Sequence, residues 1–155
     1  MKKLFTAILL SFHSLLIAAS TDPVTIVDAQ LEAVLRAELG IPSDTLTEGD
    51  LANLINLDLS QVSLTSLSGL EYASALESLD LSGSGLSELS TIEQLTTLES
   101  LRLANLNLSG LESLEALSGL TSLTELDLSS SQISNINDLV GLTLLTLNLA
   151  HHALL

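Results

Sequence analysis

Five short Leu-x-Leu pairs constrain the fold of this chain more than any other sequence feature. Their first leucines lie 22, 22, 25 and 21 residues apart, and the pairs are Leu57–Leu59, Leu79–Leu81, Leu101–Leu103, Leu126–Leu128 and Leu147–Leu149. A period of this length, with apolar residues at fixed places within it, predicts stacked structural repeats, because each unit can bury its apolar face only against its neighbours. The chain is therefore expected to form one solenoid domain.

The repeat unit at residues 76–97, "LESLDLSGSGLSELSTIEQLTT", indicates how one coil is built. Leu79 and Leu81 point to the same side of a short strand, which leaves Asp80 on the exposed side. Gly83 and Gly85 then provide a turn. Apolar residues follow at every third position, 86, 89, 92, 95 and 98. This spacing predicts a return segment with three residues per turn, which is typical of a 3₁₀ helix.

These units resemble the leucine-rich repeat pattern L-x-x-L-x-L-x-x-N/C-x-L, and the 22-residue period with its apolar triplets resembles the internalin-type bacterial subclass. The resemblance implies an α/β solenoid. Its right-handed coil has short parallel β-strands on the concave face, 3₁₀ or turn segments on the convex face, and a small α-helical N-terminal cap. It assigns residues 21–53 to this cap. Residues 54–155 then hold about four full repeats and a truncated fifth, with no C-terminal cap.

Local signals support helices in the predicted cap. Asp28 can accept hydrogen bonds from the first turn of a helix, and Gly40 followed by Pro42 ends that helix. Thr47 and Asp50 resemble a capping box at the start of a second helix.

The first twenty residues predict a secretory signal peptide. Lys2 and Lys3 precede an apolar run over residues 4–17, and small residues follow at Ala18, Ala19 and Ser20. A retained membrane anchor is the alternative, but the run is short for a bilayer span. With no cysteine, the chain cannot carry a lipid-modified cysteine or a disulfide. We expect a product that is secreted or at the cell surface, with no membrane insertion after cleavage near residue 20.

The chain is strongly acidic, with a formal net charge of -15 from 19 acidic and 4 basic residues. Such a surface repels nucleic acid and anionic lipid. The charge is explained either by solubility or by a cationic ligand or basic partner.

The asparagine of the leucine-rich repeat pattern is missing from every repeat. Its position is held by Val62, Ser84, Leu106, Ser131 and His152. The resemblance implies that this amide satisfies backbone groups of successive coils, and a serine can replace only part of that role. We therefore expect lower stability than in a regular member of the family.

The exposed side of the strands contains the candidate binding residues. In strand order these are Asn56, Asp58, Asp80, Arg102, Glu125, Asp127 and Asn148. Stacking places Arg102 between Asp80 and Asp127, which is consistent either with a solvated charge ladder or with a binding site. The resemblance implies a non-catalytic module of a secreted or surface protein that binds a protein or a glycan through the concave face.

Other chemistry has less support in the sequence. Asp58 and Asp80 could share a Ca²⁺ ion, but that ion needs six to eight oxygen ligands. His151 and His152 are adjacent, which is poor geometry for a catalytic triad or a zinc site. We predict no enzymatic activity, no cofactor and no metal site.

The last repeat is leucine-rich at positions 145, 147, 149, 154 and 155, and no polar cap follows it in this sequence. An exposed edge of this kind favours pairing. The alternatives are a homodimer through the C-terminal edge, or a structural piece of a larger surface protein with no ligand of its own.

Overall fold

A computed structural model describes residues 20–109, 114–133 and 135–151. Five short strands form one parallel sheet in sequence order. The first leucine of each Leu-x-Leu pair is aligned with the others across this sheet. The strands are β1 (Asn56–Asp58), β2 (Ser78–Asp80), β3 (Ser100–Arg102), β4 (Glu125–Asp127) and β5 (Thr146–Asn148). We number coils 1 to 5 after these strands. The predicted leucine-rich repeat solenoid is confirmed.

The return segments differ between coils. Coils 1, 2 and 4 contain the 3₁₀ helices η1 (Leu70–Tyr72), η2 (Ser90–Gln94) and η3 (Asn137–Leu139). Coil 3 differs from these, because one turn of α-helix, α3 (Glu115–Ser118), takes the place of the 3₁₀ helix. This coil has the 25-residue spacing, and its surplus triplet provides room for the wider helical turn.

The core is a stack of leucine columns between the sheet and the return segments. Leu79, Leu81 and Ile92 illustrate one coil, and each is almost fully buried. Burying a side chain of this size contributes about 1.5–3 kcal/mol relative to leaving it in water. The stability of each coil therefore depends on the apolar faces of its neighbours.

Two helices precede the sheet, α1 (Ala29–Leu39) and α2 (Glu48–Leu51). Asp28 caps α1, since its Oδ1 accepts the N–H groups of Gln30 at 2.8 Å and Leu31 at 3.0 Å. Gly40 ends the helix in the left-handed conformation, with φ of 67°. At α2, Thr47 and Asp50 form the expected reciprocal capping box.

The same Asp28 carboxylate joins α1 to coil 1. Its Oδ2 accepts both the backbone N–H and the hydroxyl of Thr65, each at 2.7 Å. The helices also bury Leu31, Leu35 and Leu51 in the common core. The N-terminal end of the solenoid is thus covered by helix and fastened by a buried polar contact.

The predicted signal peptide, residues 1–20, lies outside the described residues except for Ser20. Among the residues that are described, no helix has the length and apolar character needed to cross a bilayer.

The turn after each strand is stabilised by backbone hydrogen bonds between neighbouring coils, although the asparagine of the repeat pattern is missing. In each coil the second residue after the Leu-x-Leu pair takes the left-handed conformation, and its N–H, where a further coil follows, donates to a carbonyl of that coil. Gln61 donates to Ser82 at 2.8 Å, and Gly83 donates to Ala104 at 2.8 Å. The pattern continues in the next two coils, so backbone groups in this corner pair with one another.

The two serines at the asparagine position differ in their partners. The Ser131 hydroxyl donates to the carbonyl of Leu103 in the preceding coil, and both groups are buried. Ser84 is equally buried, but its Oγ has no hydrogen-bond partner among the described residues. One serine therefore replaces part of the asparagine's role, and the other does not. His152, at the same position in coil 5, lies outside the described residues.

Candidate binding surface

The strand register brings all seven candidate residues to one face of the sheet. Asn56 and Glu125 lie in one row, and Asp58, Asp80, Arg102, Asp127 and Asn148 lie in the adjacent row. Each has an exposed or half-buried side chain, whereas the leucine between the two rows points into the core. We call these seven residues the concave strip.

Arg102 occupies the centre of the strip, opposite Asp80 on one side and Asp127 on the other. Its Nη1 atom lies 4.0 Å from Asp80 Oδ2, and the arginine side chain is about half exposed. An ion pair of this length at the surface contributes at most about 1 kcal/mol. Arg102 therefore reduces repulsion between carboxylates and remains available for contact with a ligand.

The aspartates of the strip also hold the backbone where each strand ends. Asp58 Oδ1 accepts the N–H of Ser60 at 2.9 Å, and Asp80 Oδ1 accepts the N–H of Ser82 at the same distance. The equivalent bonds are made by Asp127 with Ser129 and by Asn148 with Ala150. These Asx turns were missed in the sequence analysis, although the repeated Asp-Leu-Ser triplet is a signal for them.

Hydrogen bonds keep two of these carboxylates ionised. The pKa of Asp58 lies below its usual value, first because the Ser60 side chain and backbone donate to it; burial opposes this, and the charge of Arg102 adds to it. Burial raises the pKa of Asp127, but hydrogen bonds from Ser129 and Asn148 and the charge of Arg102 outweigh it. The net pKa of Asp127 is lowered, so Asp58 and Asp127 both remain ionised well below neutral pH.

A shallow depression of ≈ 210 Å³ lies over strands β3 to β5. Its polar lining residues are Ser100, Arg102, Glu125, Asp127, Thr146 and Asn148. The hydroxyl of Ser100 donates to Glu125 Oε2 at 3.4 Å, which links two adjacent coils. The depression presents carboxylates, one guanidinium and one amide within a small area, a mixture that suits polar contacts with a partner.

Metal-binding side chains are not clustered in the part of the chain that the structure describes. No group of three or more His, Asp or Glu side chains among them is arranged to hold a metal ion. One oxygen of Asp58 and one of Asp80 are already used by the backbone bonds described above. A Ca²⁺ site shared by these two residues would therefore have few free ligands.

Comparisons with known proteins support the fold at the level of structure. No protein-family model matches the sequence, and the search of curated proteins finds no match. Among solved structures, an internalin (InlF) from Listeria monocytogenes is similar, with 31% identity and a TM-score of 0.72. The alignment covers 82% of this chain and 38% of that structure, so this chain spans well under half of the length of InlF.

Two further structures from Listeria monocytogenes agree with this result. Internalin C2 has 25% identity and a TM-score of 0.57 over 83% of this chain and 68% of its own. The functional domain of InlJ, which includes a cysteine ladder, has 25% identity and a TM-score of 0.57 over 76% of this chain and 26% of its own. This chain contains no cysteine. From the register of its strands and these similarities, the chain has an internalin-like leucine-rich repeat fold.

Proposed function

We propose that this chain is a non-catalytic recognition module of a secreted or cell-surface bacterial protein, and that it binds a protein partner through the concave strip. The observation that carries the proposal is the strand register, which aligns polar side chains from all five coils on one face. The similarity to internalins supports this type of role. The binding residues proposed are the seven residues of the strip.

The chemistry of the strip favours a basic partner. Three aspartates and Glu125 outweigh the single cation, Arg102, so the surface is anionic. It contains no aromatic side chain, whereas tight protein interfaces are usually centred on aromatic or arginine anchors. Lysine or arginine side chains of the partner would complement the carboxylates and would increase the rate of association. We therefore expect affinity that falls as salt concentration rises.

Charge can be removed from the strip while its turns are kept. Asn148 shows that an amide oxygen accepts the same backbone bond as an aspartate, at 3.0 Å. The variant with Asp58→Asn, Asp80→Asn and Asp127→Asn should therefore fold normally and carry three fewer negative charges on the strip. Its matched control is Glu71→Gln, Glu88→Gln and Glu93→Gln, which removes the same charge from the return-segment side of the molecule.

The test is fluorescence anisotropy of a labelled oligolysine peptide with the two variants and the unmodified chain. We expect the aspartate variant to bind at least about tenfold more weakly, while the glutamate variant changes little. Arg102→Glu should increase the affinity for the same peptide. An equal loss in both triple variants, or no binding by the unmodified chain at low salt, would contradict the proposal.

A further inference from the structure

Coil 3 departs from the other coils at the residue between its two strand leucines. In coils 1, 2 and 4 that residue is an aspartate and in coil 5 it is Asn148, and each accepts the N–H two residues further on, at 2.8–3.0 Å. Coil 3 has Arg102 at this position, and an arginine side chain has no acceptor atom. Ala104 is buried, yet no described residue accepts its N–H. Coil 3 therefore lacks a hydrogen bond that the other four coils make.

The guanidinium of Arg102 is also held only loosely by the protein. Its ion pair with Asp80 has an N–O distance of 4.0 Å, and no described residue accepts a hydrogen bond from it. Arg36, by contrast, donates to Glu32 at 2.9 Å and to two backbone carbonyls at 2.7 and 3.2 Å. Of these two arginines, Arg36 fastens the N-terminal cap, and Arg102 keeps its donors free for a ligand.

The contacts of Arg102 do not balance the hydrogen bond that Ala104 lacks. An ion pair of this length, made by a half-exposed side chain, contributes little to stability. Residues that break a local structural rule without a compensating contact are expected mainly at functional sites. Arg102 lies in the middle of the strip and lines the ≈ 210 Å³ depression, where a partner would meet it.

The charges around Arg102 define the ligand that fits it. In register order the row is Asp58, Asp80, Arg102, Asp127 and Asn148. A guanidinium binds a carboxylate through two parallel hydrogen bonds. Neighbouring strands lie about 4.8 Å apart, so a carboxylate over Arg102 also lies close to two aspartates and needs a cation on each side of it. A doubly charged phosphate would be repelled more strongly, which favours a carboxylate side chain.

We propose that Arg102 is the specificity-determining residue of the concave strip, and that it binds one carboxylate of the partner that is flanked on both sides by lysine or arginine. The inference rests on the proposed function, because it assumes that the strip binds a basic protein, and it adds which basic sequences are accepted. The aspartates attract any polycation. Arg102 disfavours a uniformly basic segment and favours one with an acidic residue at its centre.

Fluorescence anisotropy with two labelled peptides, Lys-Lys-Glu-Lys-Lys and Lys-Lys-Gln-Lys-Lys, tests the proposal. The quantity compared is the Kd of the glutamate peptide divided by the Kd of the glutamine peptide. We expect this ratio to be at least about fivefold higher for Arg102→Asn than for the unmodified chain. Arg102→Lys should give an intermediate ratio, because an ammonium group cannot make the paired hydrogen bonds. The control Asp58→Asn also changes the charge of the strip by one unit, and its ratio should stay within about twofold of the unmodified value.

The outcomes separate this inference from the proposed function. Equal ratios for the unmodified chain and Arg102→Asn, with oligolysine still bound, would overturn the role of Arg102 and leave the strip as a general site for basic partners. Failure of the unmodified chain to bind oligolysine would overturn both proposals.

Thermal melts provide a second test, on the hydrogen bond that coil 3 lacks. Arg102→Asn should raise the melting temperature, because the new amide can accept the Ala104 N–H as Asn148 accepts the equivalent N–H in coil 5. The melts are made in about 0.5 M salt, where repulsion between the neighbouring aspartates is screened. Arg102→Lys restores no acceptor and should not raise the melting temperature. A lower melting temperature for Arg102→Asn would show that Arg102 is retained for stability, and would overturn the proposal.

Discussion

Leu57 in coil 1 and Leu147 in coil 5 hold the same repeat position, yet the first is buried and the second is substantially exposed. Next to coil 1 lie two capped helices, and Asp28 joins the first of them, α1, to the repeat through Thr65. Beyond coil 5 the described residues provide no equivalent cover. The comparison shows that the repeat sequence determines the shape of a coil, while the stability of a terminal coil depends on what packs against its outer side.

The largest contrast is expected between leucine truncations in an inner coil and in coil 5. Leu101→Ala should lower the free energy of unfolding by about 2–5 kcal/mol, because the cavity lies in a closely packed column. Leu147→Ala should cost less than about 1.5 kcal/mol in dilute solution, since its side chain is already partly in water. Urea denaturation of both variants measures the difference. Equal losses would show that coil 5 is as well packed as the interior.

Removing the Asp28 carboxylate should destabilise the contact between α1 and coil 1. Asp28→Ala leaves the N–H groups of Gln30, Leu31 and Thr65 without their acceptor, at a cost of about 2–3 kcal/mol. Burial raises the pKa of Asp28, but the hydrogen bonds from Thr65, Leu31 and Gln30 outweigh it and place the net pKa well below the ordinary 3.8. A lowered folded-state pKa means that this stabilisation is present above pH 3.8 and is lost as the pH falls below it.

The pH dependence provides the check on this assignment. The difference in unfolding free energy between the unmodified chain and Asp28→Ala should be constant near neutral pH and should shrink in acid. A difference that is the same at pH 7 and at pH 3 would contradict the role given to the ionised carboxylate.

The strand ends provide a smaller test within the inner coils. Asp80→Ala removes the acceptor for the Ser82 N–H and should destabilise the chain by about 1 kcal/mol. Asp80→Asn should be nearly neutral, because Asn148 makes the same bond in coil 5. If both variants lost the same stability in thermal melts, the charge of Asp80 rather than its turn would be the important feature.

The smallest effects are expected at the corner serines, and they should differ in sign. Ser131→Ala loses the bond to Leu103 and should cost about 1 kcal/mol. Ser84→Ala removes a buried hydroxyl with no partner among the described residues, and should be neutral or stabilising by up to about 1 kcal/mol. Differential scanning calorimetry of the two variants separates these outcomes. Similar losses would mean that the Ser84 hydroxyl is satisfied in solution.

The register of the concave strip could be predicted from the sequence because one period fixes it. Once the leucine pairs are aligned, Arg102 must lie between Asp80 and Asp127, and the structure places it there. The α-helical turn in coil 3 was not predicted. The spacing of the apolar triplets gives the length of a return segment, but it does not specify which type of helix a longer return segment forms.

Other features depend on contacts that no local pattern encodes. The bond between Asp28 and Thr65 joins residues 37 positions apart, and the helix-capping signal at Asp28 says nothing about it. The difference between Ser84 and Ser131 depends on whether a neighbouring carbonyl lies within reach of a rotating hydroxyl. Both serines have the same repeat position, so sequence alone could not distinguish them.

Hydrogen exchange is the most direct test of the contrast between the two ends. In a dilute sample, the amides of Leu59, Leu81, Leu103 and Leu128 should exchange slowly, because each is bonded to the next coil. The amide of Leu149 should exchange rapidly, because no described residue accepts its N–H. Protection of Leu149 equal to that of Leu128 would contradict the contrast drawn between coil 5 and the inner coils.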